Sequence, residues 1–335
     1  MTTLFERNKL AAYKGYLSNH EVVPHPWNSR YYLTKTSDGG ISGVANSCIH
    51  RAYKLVNERK TLKPGELILC DFHHWTYDRQ GELVAAPGFK QPIPCKKLPD
   101  VQLTDINGFF FETESVKNVK SIEDFFKIPE IANIWLDDFT FSYETKTTYN
   151  VEWQSFMEIY LDGYHVKPFH PGLGSYLNCD DMKWYFGEQY SLQINELCKP
   201  DANFDKSQAW GDFHKQVLKV GWDQTWGAMF GTIYPGLMIE FYPHLFVISQ
   251  IIPSDKDNSI VNHVQVYADS TVASNTEFLS AFGRGYDETA REDGYLQDLL
   301  EEGRKMNWYD PKDLLAHELF EAGLTELDRW VKSNK

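Results

Sequence analysis

Two short cysteine–histidine pairs constrain this chain more than any other sequence feature. The first pair is Cys48 and His50, with one residue between them, and the second is Cys70 and His73, with two. Each pair falls in a predicted loop between short strands. Two thiolates and two imidazoles can bind zinc tetrahedrally, or they can hold a two-iron cluster in which histidines replace cysteines on one iron. The N-terminal region, residues 1–117, is therefore predicted to be a small β-rich domain with a metal centre.

The order of residue types within the pairs favours the iron cluster over zinc. Zinc sites pair cysteine with cysteine at a spacing of two to four residues, and histidine with histidine at three to five. Here each pair contains one cysteine and one histidine. Each loop can therefore give one ligand to each iron of a [2Fe-2S] cluster. A zinc-stabilised binding module stays as an alternative.

A second constraint lies in the stretch Glu158–His170, which reads E-I-Y-L-D-G-Y-H-V-K-P-F-H. Asp162 and His165 are three residues apart, so on a helix they would share one face. Pro168 is predicted to end that helix, because proline lacks an N–H and clashes with the preceding turn. His170 could then return toward the same point. Two imidazoles and a carboxylate suit a mononuclear iron site that keeps positions open for oxygen.

Composition limits the classes of partner. The chain has 335 residues, long enough for two domains, and a net charge of −14, which argues against nucleic acid or an anionic membrane. It has no run of eighteen apolar residues, and its first residues do not resemble a secretory leader, so we expect a cytoplasmic protein. Its cysteines form no evident disulfide framework. Three of them have no predicted role and are expected to be small buried residues: Cys95, Cys179 and Cys198.

Residues 118–335 are predicted to form a second domain with an antiparallel sheet flanked by helices. The polar stretch 115–121 is the predicted boundary. Strands followed by long helices, rather than alternating with them, indicate the α+β class. In the first domain, residues 101–113 are predicted to form one closing strand. In the second domain, strands are predicted at 141–153, 231–253 and 259–269, and helices at about 152–165, 275–305 and 310–333.

These motifs together resemble those of the Rieske non-haem iron oxygenases, the ring-hydroxylating oxygenase α subunits and their demethylase relatives. The matching motifs are C-I-H-R at 48–51, C-D-F-H-H-W-T-Y at 70–77, G-E-L at 81–83 and D-G-Y-H-V-K-P-F-H at 162–170. The resemblance covers both domains in order, from about residue 30 to about residue 304. It implies a Rieske [2Fe-2S] domain followed by a catalytic domain of helix-grip (START-like) type with mononuclear Fe(II).

The resemblance also implies ligands for both centres. Cys48 and Cys70 would bind one iron of the cluster, and His50 and His73 the other. The mononuclear iron ligands would be His165, His170 and a late aspartate that follows another acidic residue and precedes a glycine by ten residues. Asp293 fits that pattern, with Glu292 before it and Gly303 after it, and Asp298 is the competing candidate.

The resemblance further assigns Asp162 a bridging role. In relatives this carboxylate lies between an iron-binding histidine and a cluster histidine of the neighbouring subunit, which implies a homotrimer. The chain has no G-x-G-x-x-G fingerprint with strand context, so a separate NAD(P)H-dependent reductase is expected, with or without a ferredoxin. Two positions depart from the family pattern. His74 stands where a glycine is usual, and Ile159 where many relatives carry asparagine.

The predicted function is that of a terminal oxygenase. It would use O₂ and external electrons to hydroxylate or oxidatively demethylate a small organic substrate of aromatic or quaternary-ammonium type. The alternative is a Rieske-type electron carrier without oxygenase activity, which would leave the second motif without a role. Five residues are candidates for the wall of the substrate pocket, with plain core packing as the favoured interpretation of each: Trp184, Phe230, Leu237, Ile239 and Phe241.

Overall fold

The computed structural model describes residues 2–199, 208–254, 256–306 and 316–334. It confirms the α+β class, with antiparallel sheets and long helices. Contacts between residues divide the chain into two compact units, Asn8–Val119 and Lys120–Lys335 together with Met1–Arg7. Within the described residues no helix is both long enough and apolar enough to cross a membrane.

The smaller unit consists of short strands in three antiparallel sheets. Its strands are β1 Leu10–Tyr13, β2 Glu21–Pro24, β3 Tyr31–Lys35, β4 Ile41–Ala45, β5 Lys60–Thr61, β6 Ile68–Leu69, β7 Thr76–Tyr77, β8 Leu83–Ala85, β9 Asp100–Val101, β10 Leu103–Ile106 and β11 Phe109–Glu112. The strand orders are β5-β2-β3-β4-β9, β1-β11-β10 and β6-β7-β8. The β4–β5 and β6–β7 connections carry the two cysteine–histidine pairs.

The segment predicted as one closing strand is mainly a hairpin, so that prediction was wrong. β10 and β11 pair around Asn107 and Gly108, whose φ values are 54° and 83°. Two consecutive positive φ angles define the tight turn that Asn-Gly favours. Asp105 Oδ1 accepts a hydrogen bond of 2.7 Å from the Gly108 N–H and closes the turn.

The larger unit is built on one seven-stranded antiparallel sheet. Its strands are β12 Thr140–Tyr149, β13 Leu177–Phe186, β14 Tyr190–Leu197, β15 Trp226–Ile233, β16 Leu237–Tyr242, β17 Leu245–Pro253 and β18 Ile260–Ala268. Their order in the sheet is β12-β18-β17-β16-β15-β14-β13. Hairpins therefore join most neighbouring strands, as the predicted antiparallel sheet requires. The segment predicted as strand from 231 to 253 is divided by turns among three strands.

Nine helices are described, and two of them cover one face of the sheet. They are α1 Thr2–Phe5, α2 Val119–Phe126, α3 Pro129–Ala132, α4 Trp153–Tyr160, α5 Val166–Phe169, α6 Leu173–Tyr176, α7 Gln208–Val220, α8 Thr276–Lys305 and α9 Ala322–Asn334. Asn275 caps the N-terminus of α8, because its side chain accepts a hydrogen bond of 3.1 Å from the Phe278 N–H. Buried Trp210 and Phe213 of α7 pack with Phe282 of α8.

Helix boundaries differ from the prediction at two places. The helix predicted over 152–165 ends at Tyr160, so Asp162 and His165 do not share a helix face. Pro168 does not break that helix, because it lies within the separate short helix α5. The final helix is Ala322–Asn334, and the described residues 316–321 before it are not helical. The predicted start near residue 310 lies outside the described part of the chain.

Candidate metal centres and the adjoining cavity

The loops that carry the two cysteine–histidine pairs share one backbone pattern. In each loop the cysteine N–H donates to the carbonyl five residues later, and the cysteine carbonyl accepts from the N–H four residues later. These bonds, all 2.8 Å, join Cys48 with Tyr53 and Ala52, and Cys70 with Trp75 and His74. Each cysteine is therefore held by its own backbone at the start of a closed turn. Loops of this kind would present ligands from two sides of one centre.

The backbone of these loops accounts for the glycine that the family usually has at the position of His74. Ala52 and His74, the fourth residues after each cysteine, have φ values of 56° and 59°. This is the left-handed region, in which glycine is the least strained residue. A glycine is usual in the family where His74 stands, which is consistent with this geometry. The His74 side chain is exposed.

The predicted cysteine and histidine ligands of the cluster differ in their exposure to solvent. Cys48 and Cys70 are both buried, whereas the rings of His50 and His73 lie at the surface with centroids 4.7 Å apart. Burial raises the pKa of the Cys70 thiol, and the neighbouring Cys48 thiol adds to that effect. Thiols on the inside and imidazoles on the outside fit a two-iron cluster with one iron held by each pair of like ligands.

Tyr77 is a further residue at this centre that was not predicted. Its hydroxyl lies 3.1 Å from Cys48 Sγ and accepts from the Ile49 N–H at 3.3 Å. The backbone N–H groups of Phe72 and His73 are directed at the Cys70 sulfur. Hydrogen bonds to sulfur ligands influence the potential of an iron–sulfur cluster. The second-loop motif C-D-F-H-H-W-T-Y contained Tyr77, but its hydroxyl contact depends on the β6–β7 pairing.

In the larger unit, His165, His170 and Asp293 converge. The Nε2 atoms of the two histidines are 3.0 Å apart. Asp293 Oδ1 lies 2.9 Å from His170 Nε2 and 3.5 Å from His165 Nε2. One ligand atom from each of these three residues lies within 4.8 Å of the others. Asp298, the competing candidate, is exposed and does not belong to this group.

The outer nitrogen of each histidine is held by a second carboxylate. His165 Nδ1 lies 3.0 Å from Asp162 Oδ2, and His170 Nδ1 lies 2.7 Å from Glu292 Oε2. A neutral imidazole that donates from Nδ1 presents a lone pair at Nε2. Two such lone pairs and the Asp293 carboxylate then face one point. This donor set fits a divalent iron with three protein ligands and open positions.

The electrostatics of the group also favour a bound cation. Burial opposes charge on His165, but Asp162 and Asp293 outweigh it and raise its pKa to about 9. The pKa of His170 is raised against burial by Asp293 and Glu292. Desolvation opposes charge on the half-buried Asp293, but its pKa is still lowered because both histidines stabilise its negative charge. Without metal, the site therefore binds protons that a metal ion would displace.

Asp162 is positioned by a local turn rather than by a helix. Its Oδ1 accepts from the Tyr164 N–H at 2.5 Å, which leaves Oδ2 for His165. An added Cβ at Gly163, the residue between them, would lie 2.5 Å from Met182 Cε. The D-G-Y-H motif therefore combines a turn-forming aspartate with a glycine that leaves room for the end of the Met182 side chain.

A cavity adjoins the three converging residues, since Asp293 forms part of its wall. Its volume, including space that is open to solvent, is about 630 Å³. One wall is β16, which contributes Met238, Glu240 and Tyr242. Ile159, at the other position that departs from the family pattern, is buried and also lines the cavity. The enclosure is mainly aromatic and aliphatic, with a few buried polar groups, as small-molecule sites usually are.

Most of the five candidate pocket residues do not line this cavity, and core packing was the interpretation favoured for each of them. Of the five, only Phe230 lines this cavity. Leu237, Ile239 and Phe241 are buried, but they alternate with the cavity-lining residues of β16 and so belong to the opposite face of the sheet. Trp184 is on β13, and its indole N–H donates to the Leu319 carbonyl at 2.9 Å.

The three cysteines without a predicted role are in different environments. Cys179 is buried, as expected, but Cys95 is exposed and Cys198 is half-buried, so the expectation of burial was wrong for these two. Burial raises the pKa of the Cys179 thiol to about 12.

Comparisons with known proteins match both units. Residues 8–105 match the Rieske [2Fe-2S] domain, and residues 135–334 match the catalytic domain of the ring hydroxylating alpha subunit. Putrescine 2-hydroxylase of Bordetella bronchiseptica is 34% identical over 79% of this chain and 64% of its own length. The same-named protein of Ralstonia nicotianae is 33% identical over 79% of this chain and 71% of its own length. The chain thus spans about two thirds of these relatives.

Solved structures show the same fold. A quaternary ammonium Rieske monooxygenase studied for carnitine oxidation superposes with a TM-score of 0.76, at 17% identity, over 99% of this chain and 90% of that one. Naphthalene 1,2-dioxygenase from a Rhodococcus species superposes with a TM-score of 0.66, at 13% identity, over 97% of this chain and 88% of that one.

The chain belongs to the family of ring-hydroxylating oxygenase α subunits, with a Rieske domain and a catalytic domain in one polypeptide. The resemblance inferred from its motifs is confirmed. The two cofactors predicted from the sequence, a [2Fe-2S] cluster and a mononuclear iron, are those of this family.

Proposed function

We propose that this chain is the terminal oxygenase of a multicomponent system that hydroxylates or oxidatively demethylates a small organic substrate. The observation that carries the proposal is the convergence of His165, His170 and Asp293 on the wall of a cavity. A ligand in that cavity would lie beside the point that the three donor atoms face. We place the Rieske domain in residues 1–117 and the catalytic domain in residues 118–335.

The chain's own residues would prepare the site in three ways. His165, His170 and Asp293 would hold Fe(II), which when bound supplies the one-electron chemistry needed to use O₂. Asp162 and Glu292 would fix the orientation of the two imidazoles and increase their basicity. The apolar cavity wall would exclude water from the reacting part of the substrate.

The second centre would supply electrons. Cys48, Cys70, His50 and His73 would bind the [2Fe-2S] cluster, and a separate NAD(P)H-dependent reductase, with or without a ferredoxin, would reduce it. Asp162 would carry the electron from the cluster of a neighbouring subunit in a homotrimer. Support comes from the similar quaternary ammonium Rieske monooxygenase, whose structure is described as giving insights into inter-subunit electron transfer in that protein. The cytoplasmic location expected from the sequence is also a prediction.

A pure electron carrier is the less favoured function. Such a protein would use the Cys48–His73 region alone and would have no use for a second, three-residue ligand group. The relatives named above are a hydroxylase and a monooxygenase, and both comparisons extend over the catalytic unit. The convergent donors and the adjoining cavity therefore favour the oxygenase.

The test combines metal content with the source of inserted oxygen. Anaerobically purified protein should contain about three irons and two acid-labile sulfides per chain, and no zinc. With a chemical reductant, ¹⁸O₂ and either putrescine or L-carnitine, mass spectrometry should detect product oxygen or formaldehyde derived from ¹⁸O₂. H165A should retain the sulfide and lose product. Two irons to two sulfides, even after addition of Fe(II), would support the carrier instead, and zinc without sulfide would support the binding module.

A further inference from the structure

A buried carboxylate faces the cavity beside the candidate iron site. Glu240 lies on β16, is 3% exposed and lines the same cavity as Asp293. Its Oε2 accepts from the Tyr242 hydroxyl at 2.9 Å, its Oε1 accepts from the Tyr286 hydroxyl at 3.3 Å, and the Tyr160 hydroxyl also interacts with it. The phenols thus hold the carboxylate in place. They leave it room for a further donor, because a carboxylate accepts about four hydrogen bonds.

The negative charge of Glu240 has no cationic partner among the described residues. No lysine, arginine or histidine in the described ranges forms an ion pair with it. Burial raises the pKa of its carboxyl group to about 7, although the tyrosine hydroxyls act in the opposite direction. A buried carboxylate without a counter-charge is costly, and in a cleft it marks a functional site more often than a structural one.

A second acceptor in the same cavity also lacks a partner. Gln297 lies one turn after Asp293 on α8, lines the cavity and is 3% exposed. Its Oε1 atom is buried and has no hydrogen-bond donor among the described residues. Glu240 and the Oε1 atom of Gln297 are both acceptors, so a ligand that satisfies these two groups must bring N–H or O–H donors and, at Glu240, positive charge.

We propose that Glu240 binds the protonated primary amino group of an aliphatic amine substrate. This inference rests on the proposed function and narrows the substrate class of that same site. A primary ammonium offers three N–H donors and a full positive charge, which match a carboxylate already oriented by Tyr242 and Tyr286. A quaternary ammonium has no N–H, so it would leave the acceptors unsatisfied. A neutral arene would supply neither donors nor charge.

The experiment measures binding under anaerobic conditions to protein loaded with cluster and iron. The probes are 1,4-diaminobutane, its uncharged analogue 1,4-butanediol and its bis(trimethylammonium) analogue, each titrated calorimetrically. Wild-type protein should bind the diamine at least tenfold more tightly than either analogue. E240Q, which keeps the shape and removes the charge, should weaken diamine binding roughly 30-fold or more.

The matched control is E144Q, another glutamate-to-glutamine change on the same sheet. Glu144 lies on β12, pairs with His263 and does not line the cavity, so this variant should bind the diamine within about twofold of wild type. Equal diamine binding by E240Q and wild type would overturn the proposal. If E240Q does not fold, a wild-type preference for the diol or the quaternary analogue would overturn it as well.

Oxygen uptake in the same samples separates this proposal from the oxygenase function. Diamine binding that depends on Glu240, but without reductant-dependent O₂ consumption, would support the amine site and contradict the oxygenase. O₂ consumption coupled to an arene or to a quaternary ammonium, without diamine binding, would support the oxygenase and contradict the amine site.

Discussion

Glu292 and Asp293 are consecutive residues of α8, and they contact opposite nitrogens of the same imidazole ring. Glu292 Oε2 lies 2.7 Å from His170 Nδ1, and Asp293 Oδ1 lies 2.9 Å from His170 Nε2. The ring is itself only 1% exposed, so it has little freedom to turn. Glu292 would thus orient the His170 ring, while Asp293 would bind the same metal ion as His170.

The first prediction concerns Glu292. E292A should weaken Fe(II) binding about 10- to 100-fold, because His170 would lose the partner that fixes its tautomer and orientation. E292Q should recover part of the affinity, since its amide oxygen can still accept from Nδ1. The measurement is anaerobic Fe(II) titration of the iron-free protein. E302A changes an exposed glutamate of the same helix and should bind as wild type does. Equal affinity in E292A and E302A would contradict the predicted role.

The second prediction concerns Asp162. In D162A, with iron in excess, both centres should remain loaded, because Asp162 is not a predicted ligand of either one. Turnover coupled to product should be lost, because the predicted electron path is broken. Iron, sulfide and product are measured in one preparation. D181A, at a neighbouring exposed position on β13, is the control. A fully active D162A would exclude the relay.

The third prediction concerns the positive φ angles of the two cluster loops. H74G and A52G should each stabilise the protein by about 0.5–1 kcal/mol, because glycine adopts φ near 60° without strain. A85G, in the exposed strand β8, should instead destabilise it by about 0.5–1 kcal/mol. Urea unfolding of the three variants gives the free energies. A loss of stability in both H74G and A52G would show that the left-handed conformation carries no cost there.

The fourth prediction concerns pH and His25. Burial, with a smaller effect of Lys9, lowers the pKa of His25 to about 3. Its Nδ1 accepts from the backbone N–H groups of Trp27 and Asn28, at 3.4 and 3.2 Å, so protonation would break both bonds. The unfolded chain binds this proton near pH 6.5 and the folded chain does not. The stabilisation is therefore present above pH 6.5 and is lost as the pH falls toward 3.

The measurement is the free energy of unfolding as a function of pH for wild type and H25N. Asparagine keeps an acceptor near the position of Nδ1 but does not titrate. Between pH 6 and 4, the wild-type free energy should fall by up to about 1.4 kcal/mol per pH unit more steeply than that of the variant. Parallel curves would mean that His25 is protonated equally in both states.

Much of the candidate site could be predicted because most of its candidate ligands lie in short motifs. The short spacing of His165 and His170 predicts that they lie close together, as they do. The helix that was predicted to bring them together ends earlier, at Tyr160. Asp162 reaches His165 through a turn closed by the Tyr164 N–H, not along a helix face. A separation of three residues brings side chains together in either geometry. The contact between Asp162 and His165 was therefore predictable from the sequence, whereas the backbone conformation that allows it was not.

The cavity was less predictable, because its wall depends on strand alternation. Every residue from 237 to 242 is buried, so hydrophobicity does not distinguish one face of β16 from the other. Leu237, Ile239 and Phe241 were only candidates for the cavity wall, with core packing favoured, and the alternate residues of the strand line the cavity. Glu240 interrupts this apolar run, and a charged residue inside a buried strand was the available signal for the cavity face.

The part of the cavity wall that β16 forms and the candidate iron ligands come from different parts of the fold. β16 contributes Met238, Glu240 and Tyr242 to the wall, whereas Asp293 lies on α8 and the convergent histidines lie at the two ends of α5. Mutations on the strand can therefore alter which molecule is accepted without displacing the groups that would hold iron. Selection could in this way diversify substrate preference while the reaction chemistry is conserved, and a single position, 240, would be sufficient to exchange charge recognition for an apolar surface.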